Sequence, residues 1–405
     1  MVLRKATLNI PGMRTRSASH LCEDCMNTSY YDKTFVLRKS KSKKLPVSFD
    51  CNAISKADSE GSYGFWGFLK LDIIPLQRQA WTPLDIEEDF VRRLPRRPRD
   101  LSYNCLDISF SPFNDYWKDI RKLSVQELFS TKKIHSIQPI KDEEVKKLIN
   151  SLTESAPKKT PVNLNQKFLT LTTSVLCRVA FSVSFEDTVL SNNKLYKLIR
   201  ENVLLAGIDT SSITMTWAMA ELARNPRAMK KVQSEIRNQM GKRSVISLDD
   251  IDQLKYLKMV IKETWRLHPP APLLVPKEVI SEFEVNGYMI QPKTLLHVKV
   301  WAIGRDPGTW KDPEMFLPER FIGSNIDTKG QNFELLPFGG GRRICPAMYM
   351  GTTMVECGLA NMLYNFDWEL PEDMMVEDLD MEEAPGLTVS KINELLLVPV
   401  EYLDH

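Results

Sequence analysis

The sequence predicts a mainly α-helical fold with a small β-sheet region, and three observations carry that expectation. Helical patterning dominates from about Trp117 to Arg266 without an obvious linker. A second apolar run with helical spacing extends from Ala347 to about Phe366. Strand-like runs such as Phe283-Glu284-Val285 and Leu295-Leu296-His297-Val298-Lys299-Val300 are short, as expected of a minor sheet beside a helical body. With 405 residues, 43% of them hydrophobic, the chain holds ample apolar material for a large core. A net charge of only +2 argues against a dedicated nucleic-acid binder. Seven cysteines, an odd number without a regular framework, fit a reducing compartment better than a disulfide scaffold.

Residues 1–99 form a divergent N-terminal segment. The first 50 residues hold 10 Lys/Arg against 4 Asp/Glu and are rich in Ser, a composition expected to be loosely ordered. The early apolar run Gly64-Phe65-Trp66-Gly67-Phe68-Leu69 stops at Lys70, far short of the ~20 residues that span a bilayer. No secretory pattern is visible, since that needs an apolar core directly after a short basic start. His20-Leu21-Cys22-Glu23-Asp24-Cys25 offers one close cysteine pair, but no second close pair follows to complete a zinc site.

Along the rest of the chain, Trp117-Lys118-Asp119-Ile120-Arg121 reads as an amphipathic helix with a cation stacked on an aromatic. Asn202 begins a long helix, apolar almost all round up to Glu221, and such a helix belongs in a protein interior. Gly207, Asp209 and Thr210 interrupt it, and buried polar groups need partners. A purely local reading has Thr210 bonding the carbonyl one turn back and Asp209 facing a water pocket. Ser247-Leu248-Asp249-Asp250 is similar to a capping box with Asp in place of Glu, opening a helical stretch that runs through Arg266. Glu263 and Arg266 are three apart and share a helix face. Taken alone, such a pair is an ordinary surface salt bridge of small value.

Pro337-Phe338-Gly339-Gly340-Gly341-Arg342-Arg343-Ile344-Cys345-Pro346-Ala347 is the most informative string. Its glycines remove side chains where the backbone must bend sharply or approach something flat and large, and Pro346 is preset for a first helical turn. Cys345 would then sit at a helix start, where amide hydrogens and the helix dipole stabilise a thiolate. Arg343 adds a permanent cation able to pair with an anionic ligand edge. A lone cysteine is nevertheless more often a small buried hydrophobe than a ligand.

The full string closely resembles the haem-binding signature of the cytochrome P-450 family, with Phe338, Gly341, Arg343 and Cys345 at its recurring positions. Ala347 stands where that signature usually has glycine. Three companion motifs occur in the family's order: Trp117 with Arg121, Asp209 with Thr210, and Glu263 with Arg266 followed by Pro318-Glu319-Arg320-Phe321. The resemblance covers residues 100–405 and is nearest to the plant branch that oxidises specialised metabolites. It implies a cytochrome P-450-like fold, partly truncated, and a monooxygenase that inserts one oxygen atom of O2 into a small apolar organic substrate.

The resemblance also assigns roles. Cys345 would be the axial ligand to the iron of haem b, with Phe338 and Gly341 in the binding loop. Arg343, Trp117 and Arg121 would hold propionates, and Asp209 and Thr210 would deliver protons. Glu263, Arg266 and Arg320 would form a buried structural network. Ala206, Gly207, Leu273, Leu274, Val275 and Leu387 would line the substrate pocket. Electrons would come from NADPH through a separate flavoprotein reductase. By the same resemblance the protein would be a monomer on the cytosolic face of the endoplasmic reticulum membrane, with no nucleic-acid partner.

Two further departures from the family are visible. No membrane anchor is seen. Arg121 and Thr210 are 89 positions apart, roughly half the family's spacing, which places an internal gap near 201/202 where lid helices over the pocket would lie. An open haem face would lose substrate affinity and leak reducing equivalents. An active monooxygenase and a noncatalytic remnant with weak or no haem binding are therefore both expected readings. A metal-binding or interaction module at the N-terminus is a third. Between Asp367 and Glu383 there are 9 acidic residues and no Lys or Arg, a run expected to form a solvated face.

Overall fold

The computed structural model describes residues 108–109, 111–181, 205–243, 245–285, 288–372 and 374–402. The expectations for residues 1–99, including the Cys22/Cys25 motif and the apolar run at 64–69, and for the join near 201/202 lie outside these residues.

Ten α-helices are formed by the described residues. The first three are α1 Asp115–Glu127, α2 Thr131–Ser136 and α3 Gln138–Thr153. Asn114 caps α1 by accepting the Trp117 amide at 2.8 Å, which fixes Trp117 in the first turn. Helix α4, Leu164–Phe181, follows a two-residue strand β1, Val162–Asn163. Helix α5, Leu205–Arg224, is the long apolar helix, and α6, Pro226–Met240, begins on proline and ends at Gly241 with φ +56°.

The expected single stretch from Ser247 to Arg266 is two helices, α7 Leu248–Ile251 and α8 Lys255–Leu267. The Asp250 carboxylate accepts from both the amide and the hydroxyl of Ser247, at 3.0 and 2.9 Å, so the local signal is satisfied within one turn and the chain bends before α8. Helix α9 is Val300–Ile303 and α10 is Met348–Asn365.

The strands are as short as the sequence suggests. β2 Lys277–Glu278 pairs antiparallel with β5 Leu295–Leu296, and β3 Phe283–Val285 pairs with β4 Tyr288–Ile290. The run from Leu295 to Val300 is only partly strand, because its end turns into α9, where Ile303 bonds back to Lys299. β7, Leu396–Glu401, lies between β1 and β6, Phe366–Glu369, with Phe366 opposite Glu401 and Val162 opposite Leu397.

The core centres on α5 and α10. Met215, Trp217, Met219 and Leu222 of α5 are buried with Leu359, Ala360, Met362 and Leu363 of α10 and Leu257 and Val260 of α8. Burying each such large apolar side chain contributes about 1.5–3 kcal/mol. The two central helices cross closely at Gly358, where an added Cβ would lie 2.5 Å from the Met215 sulfur. This crossing fixes α10 against α5, and α10 begins directly after the cysteine loop.

Candidate functional site

The loop before α10 is anchored at both ends. Phe338 meets Trp265 of α8 edge to face, with centroids 5.1 Å apart, and its carbonyl accepts the Cys345 amide at 3.0 Å. Between them Gly339 and Gly341 adopt φ +69° and +67°, values that side chains rarely tolerate. At Gly339 a Cβ would already meet Leu274 at 3.5 Å. Residues Gly341–Arg343 form one 3₁₀ turn. Pro346 and Ala347 make a further turn, so α10 starts at Met348, three residues past Cys345 rather than at it.

The Cys345 thiol is half-buried and accepts the amide of Ala347. Burial pushes the thiol up, against the opposing pull of that amide and of the Arg121 guanidinium. The helix start expected at Cys345 is displaced to Met348, and the nearby cation is Arg121 rather than Arg343; the Ala347 amide and Arg121 favour the thiolate, but in the protein alone burial outweighs them. Cys177 and Cys357, the other cysteines among the described residues, are buried. Cys357 lies inside α10 at 1% exposure, touched by Gln138 Nε2 at 3.8 Å, and burial drives its thiol up to about 12. It lies in the packed core, against Gln138 of α3.

Three cations gather around the cysteine loop. Arg121 donates to the Ile344 carbonyl at 2.6 Å, directly beside Cys345. Arg343 donates to the carbonyls of Ser109 and Ser111 and lies over the Trp117 ring at 4.6 Å, while Arg121 lies over the same ring at 5.4 Å. Trp117 is buried, and its indole donates to the Ile108 carbonyl at 2.9 Å. In this arrangement Trp117 is the platform on which both guanidiniums rest. The third cation, Lys277, was not singled out from the sequence; burial and then the Arg343 charge hold its pKa down. Only its position after Pro276 could have hinted at it.

Glu263, Arg266 and Arg320 meet in one buried node. Glu263 and Arg266 form a two-point ion pair at 2.8 Å, and the same carboxylate accepts Arg320 Nε at 2.9 Å and the Leu317 amide at 2.8 Å. The remaining guanidinium donors go to main-chain carbonyls of Gly304, Lys311, Asp312, Pro313 and Met315. Every oxygen of the carboxylate is used, as a buried charge requires.

On α5, Ala206 and Gly207 are exposed and Asp209 and Thr210 are half-buried. The Thr210 hydroxyl donates to the Ala206 carbonyl, the one-turn-back bond of the local reading. Asp209 Oδ2 accepts from Thr388 Oγ1 at 3.1 Å. One turn on, Thr214 donates to the Thr210 carbonyl and accepts the Trp265 indole, linking this turn to α8. Leu273, Val275 and Leu387 are exposed apolar residues. Leu274, by contrast, is packed with Val298, Val300, Ile303 and Leu336, its backbone held at φ +51°, so its side chain belongs to a small core.

A half-buried thiol that receives an amide, glycines in place of side chains, and converging guanidiniums make a donor set that fits a flat macrocycle with an axial metal and an anionic edge. Fold and site together define a haem-thiolate protein. The cytochrome P450 family profile matches residues 85–203 and 188–398. Cytochrome P450 71B35 of Arabidopsis thaliana is 58% identical over 391 residues, covering 75% of this chain and 78% of that one. Cytochrome P450 71B9 of the same plant is 56% identical over 396 residues, 76% and 79%, and Cytochrome P450 71B10 is 48% identical over 441 residues, 84% and 88%. The chain belongs to the cytochrome P450 family, in a plant branch of haem-dependent monooxygenases. These oxidoreductases use haem b, O2, an organic substrate and electrons from a redox partner. Among the described residues no helix is long and apolar enough to cross a membrane.

Proposed function

We propose that Cys345 is the thiolate ligand of a haem in a monooxygenase acting on a small, apolar specialised metabolite. The observation that carries this reading is the setting of Cys345, alone of the described cysteines on a loop, with the Ala347 amide on its sulfur and the Arg121 guanidinium on the carbonyl of the preceding residue. When bound, such a haem supplies oxygen activation, with the electron-rich thiolate favouring O–O cleavage.

The chain's own residues do the rest. Arg121 and Arg343, stacked on Trp117, present cations to the propionate edge, and Phe338 braces the loop on α8. Asp209 and Thr210 pass protons, Thr210 exchanging its bond to Ala206 for one toward the pocket. The exposed side chains of Ala206, Leu273, Val275 and Leu387 offer an apolar surface to the substrate. The electron donor in this reading is an NADPH-fed flavoprotein reductase, and the protein works as a monomer at the endoplasmic reticulum membrane.

The test is the spectrum of the reduced protein under carbon monoxide. The red-shifted Soret band of thiolate ligation is expected in the wild type and in Cys357→Ser, and is expected to vanish in Cys345→Ser. A band lost in Cys357→Ser alone would overturn the assignment.

A second reading, a noncatalytic remnant, draws on the gap near 201/202. The family match falls in two segments that overlap at 188–203, and 391 aligned positions draw on only 75% of this chain's 405 residues. Both support a shortfall inside the chain. Thiolate ligation without product in the presence of reductase would favour this reading, and sequencing the transcript across Glu201 and Asn202 would show whether the shortfall is natural.

A further inference from the structure

Thr388 is 179 positions from Asp209 in sequence, yet its hydroxyl donates to the Asp209 carboxylate at 3.1 Å. A threonine hydroxyl has one proton to give, so this bond commits it. The segment that carries Thr388 is held firmly. Its next residue, Val389, is buried, gives its amide to the Pro270 carbonyl at 2.9 Å and takes the indole of Trp217 on its carbonyl at 3.1 Å. Trp217 lies on the same helix as Asp209, so two consecutive residues, Thr388 and Val389, grip α5 two turns apart.

The loop itself is closed tightly. The Ala384 amide donates to the Ser390 carbonyl at 2.7 Å, and Glu383 bridges Lys391 in antiparallel fashion. At Gly386 an added Cβ would lie 2.6 Å from the Thr388 carbonyl, so a side chain there would force the backbone at Thr388 to shift. Leu387, one residue before Thr388, is exposed on the same loop.

We propose that Thr388 is a positioning residue for Asp209, fixing the rotation of its carboxylate by holding Oδ2. This inference rests on the reading of Asp209 as the proton-delivery acid. A hydroxyl carried on a firmly anchored segment limits the directions in which that carboxylate can be presented, which is what a directed relay requires. Loss of the tether misdirects protons, and electrons then leave as peroxide, each O2 taking up two electrons and two protons instead of delivering an oxygen atom to substrate.

Isotope-edited infrared spectra of the full chain, labelled at aspartate carboxyls, test the contact without turnover. The Asp209 band is the one missing from Asp209→Asn. It is expected to shift in Thr388→Val and to return to its wild-type position in Thr388→Ser. In parallel, product formed per NADPH consumed is expected to fall at least threefold in Thr388→Val, to recover in Thr388→Ser, and to show no further loss when Thr388→Val is added to Asp209→Asn. An unshifted band in Thr388→Val overturns the proposal while leaving the role of Asp209 intact. Unchanged product per NADPH in Asp209→Asn overturns the relay reading itself, and the positioning role with it.

Discussion

Trp265 joins two parts of the molecule that are far apart in sequence: its ring edge meets Phe338 of the cysteine loop, and its indole N–H reaches Thr214 of α5 at 3.2 Å. One side chain therefore sets the distance between the loop and α5. Trp265→Ala is expected to cost about 3–5 kcal/mol through the cavity it leaves. Trp265→Phe keeps an aromatic ring against Phe338 but loses the Thr214 bond and part of the packed volume, an expected cost of about 1–3 kcal/mol. Urea unfolding of both variants checks the ranking, and equal costs would show that the indole bond dominates.

Glu263→Ala leaves two guanidiniums facing an emptied site that was fully shielded from water. The expected loss is about 3–5 kcal/mol, the scale for breaking a buried ion pair from one side. Arg320→Lys is expected to be destabilising as well, because a lysine ammonium cannot reproduce the planar fork that reaches Glu263 and two or more carbonyls at once. Chemical denaturation measures both.

Glycine substitutions on α10 separate contact from propensity. Gly358→Ala places a methyl 2.5 Å from the Met215 sulfur and is expected to cost about 1–3 kcal/mol by forcing that buried side chain to repack. Gly351→Ala, seven residues earlier, meets nothing nearer than the Phe338 ring at 3.8 Å and is expected to be neutral or to stabilise by up to about 1 kcal/mol. Similar thermal midpoints for the two variants would contradict this packing.

Glu356 gives the fold a pH dependence. Burial raises its carboxyl from 4.5 to about 7, outweighing the opposing charges of Lys258 and Lys141, while Asp252 adds to the rise. Between those pH values the folded protein holds a proton that the unfolded chain has released. The associated stability is fully present below about pH 4.5 and is lost as pH rises through about 7, on the order of 3 kcal/mol in all. Glu356→Gln is expected to flatten that part of the profile, read from urea midpoints between pH 5 and pH 8.

The sequence made the helical body legible because α5, α8 and α10 carry strong apolar periodicity, and the turn at Ser247 carries its own capping chemistry. The site motifs were legible as strings: Phe338 to Cys345 is one loop, and Glu263 and Arg266 share one turn. What stayed hidden depends on contacts made across the fold. Nothing local in Thr388 points to Asp209, and Lys277 shows its place beside Arg343 only once the chain is folded. The start of α10 was displaced for a similar reason: Pro346 and Ala347 are spent on a turn that brings the Ala347 amide onto the sulfur. Leu274 reads as an apolar lining residue in sequence, but its left-handed backbone turns the side chain into a small core with Leu336.

The node at Glu263 grips residues 304–315 almost wholly through main-chain carbonyls. Apart from Trp310, whose buried ring lies against both guanidiniums, and Gly304, where an added Cβ would meet the Arg266 carbonyl, the side chains along that stretch are left unread by the clamp that holds it. Over evolutionary time the wording of the segment can drift while its route is preserved, so the surface it presents is a place where related chains can diverge in what they meet without losing the fold beneath.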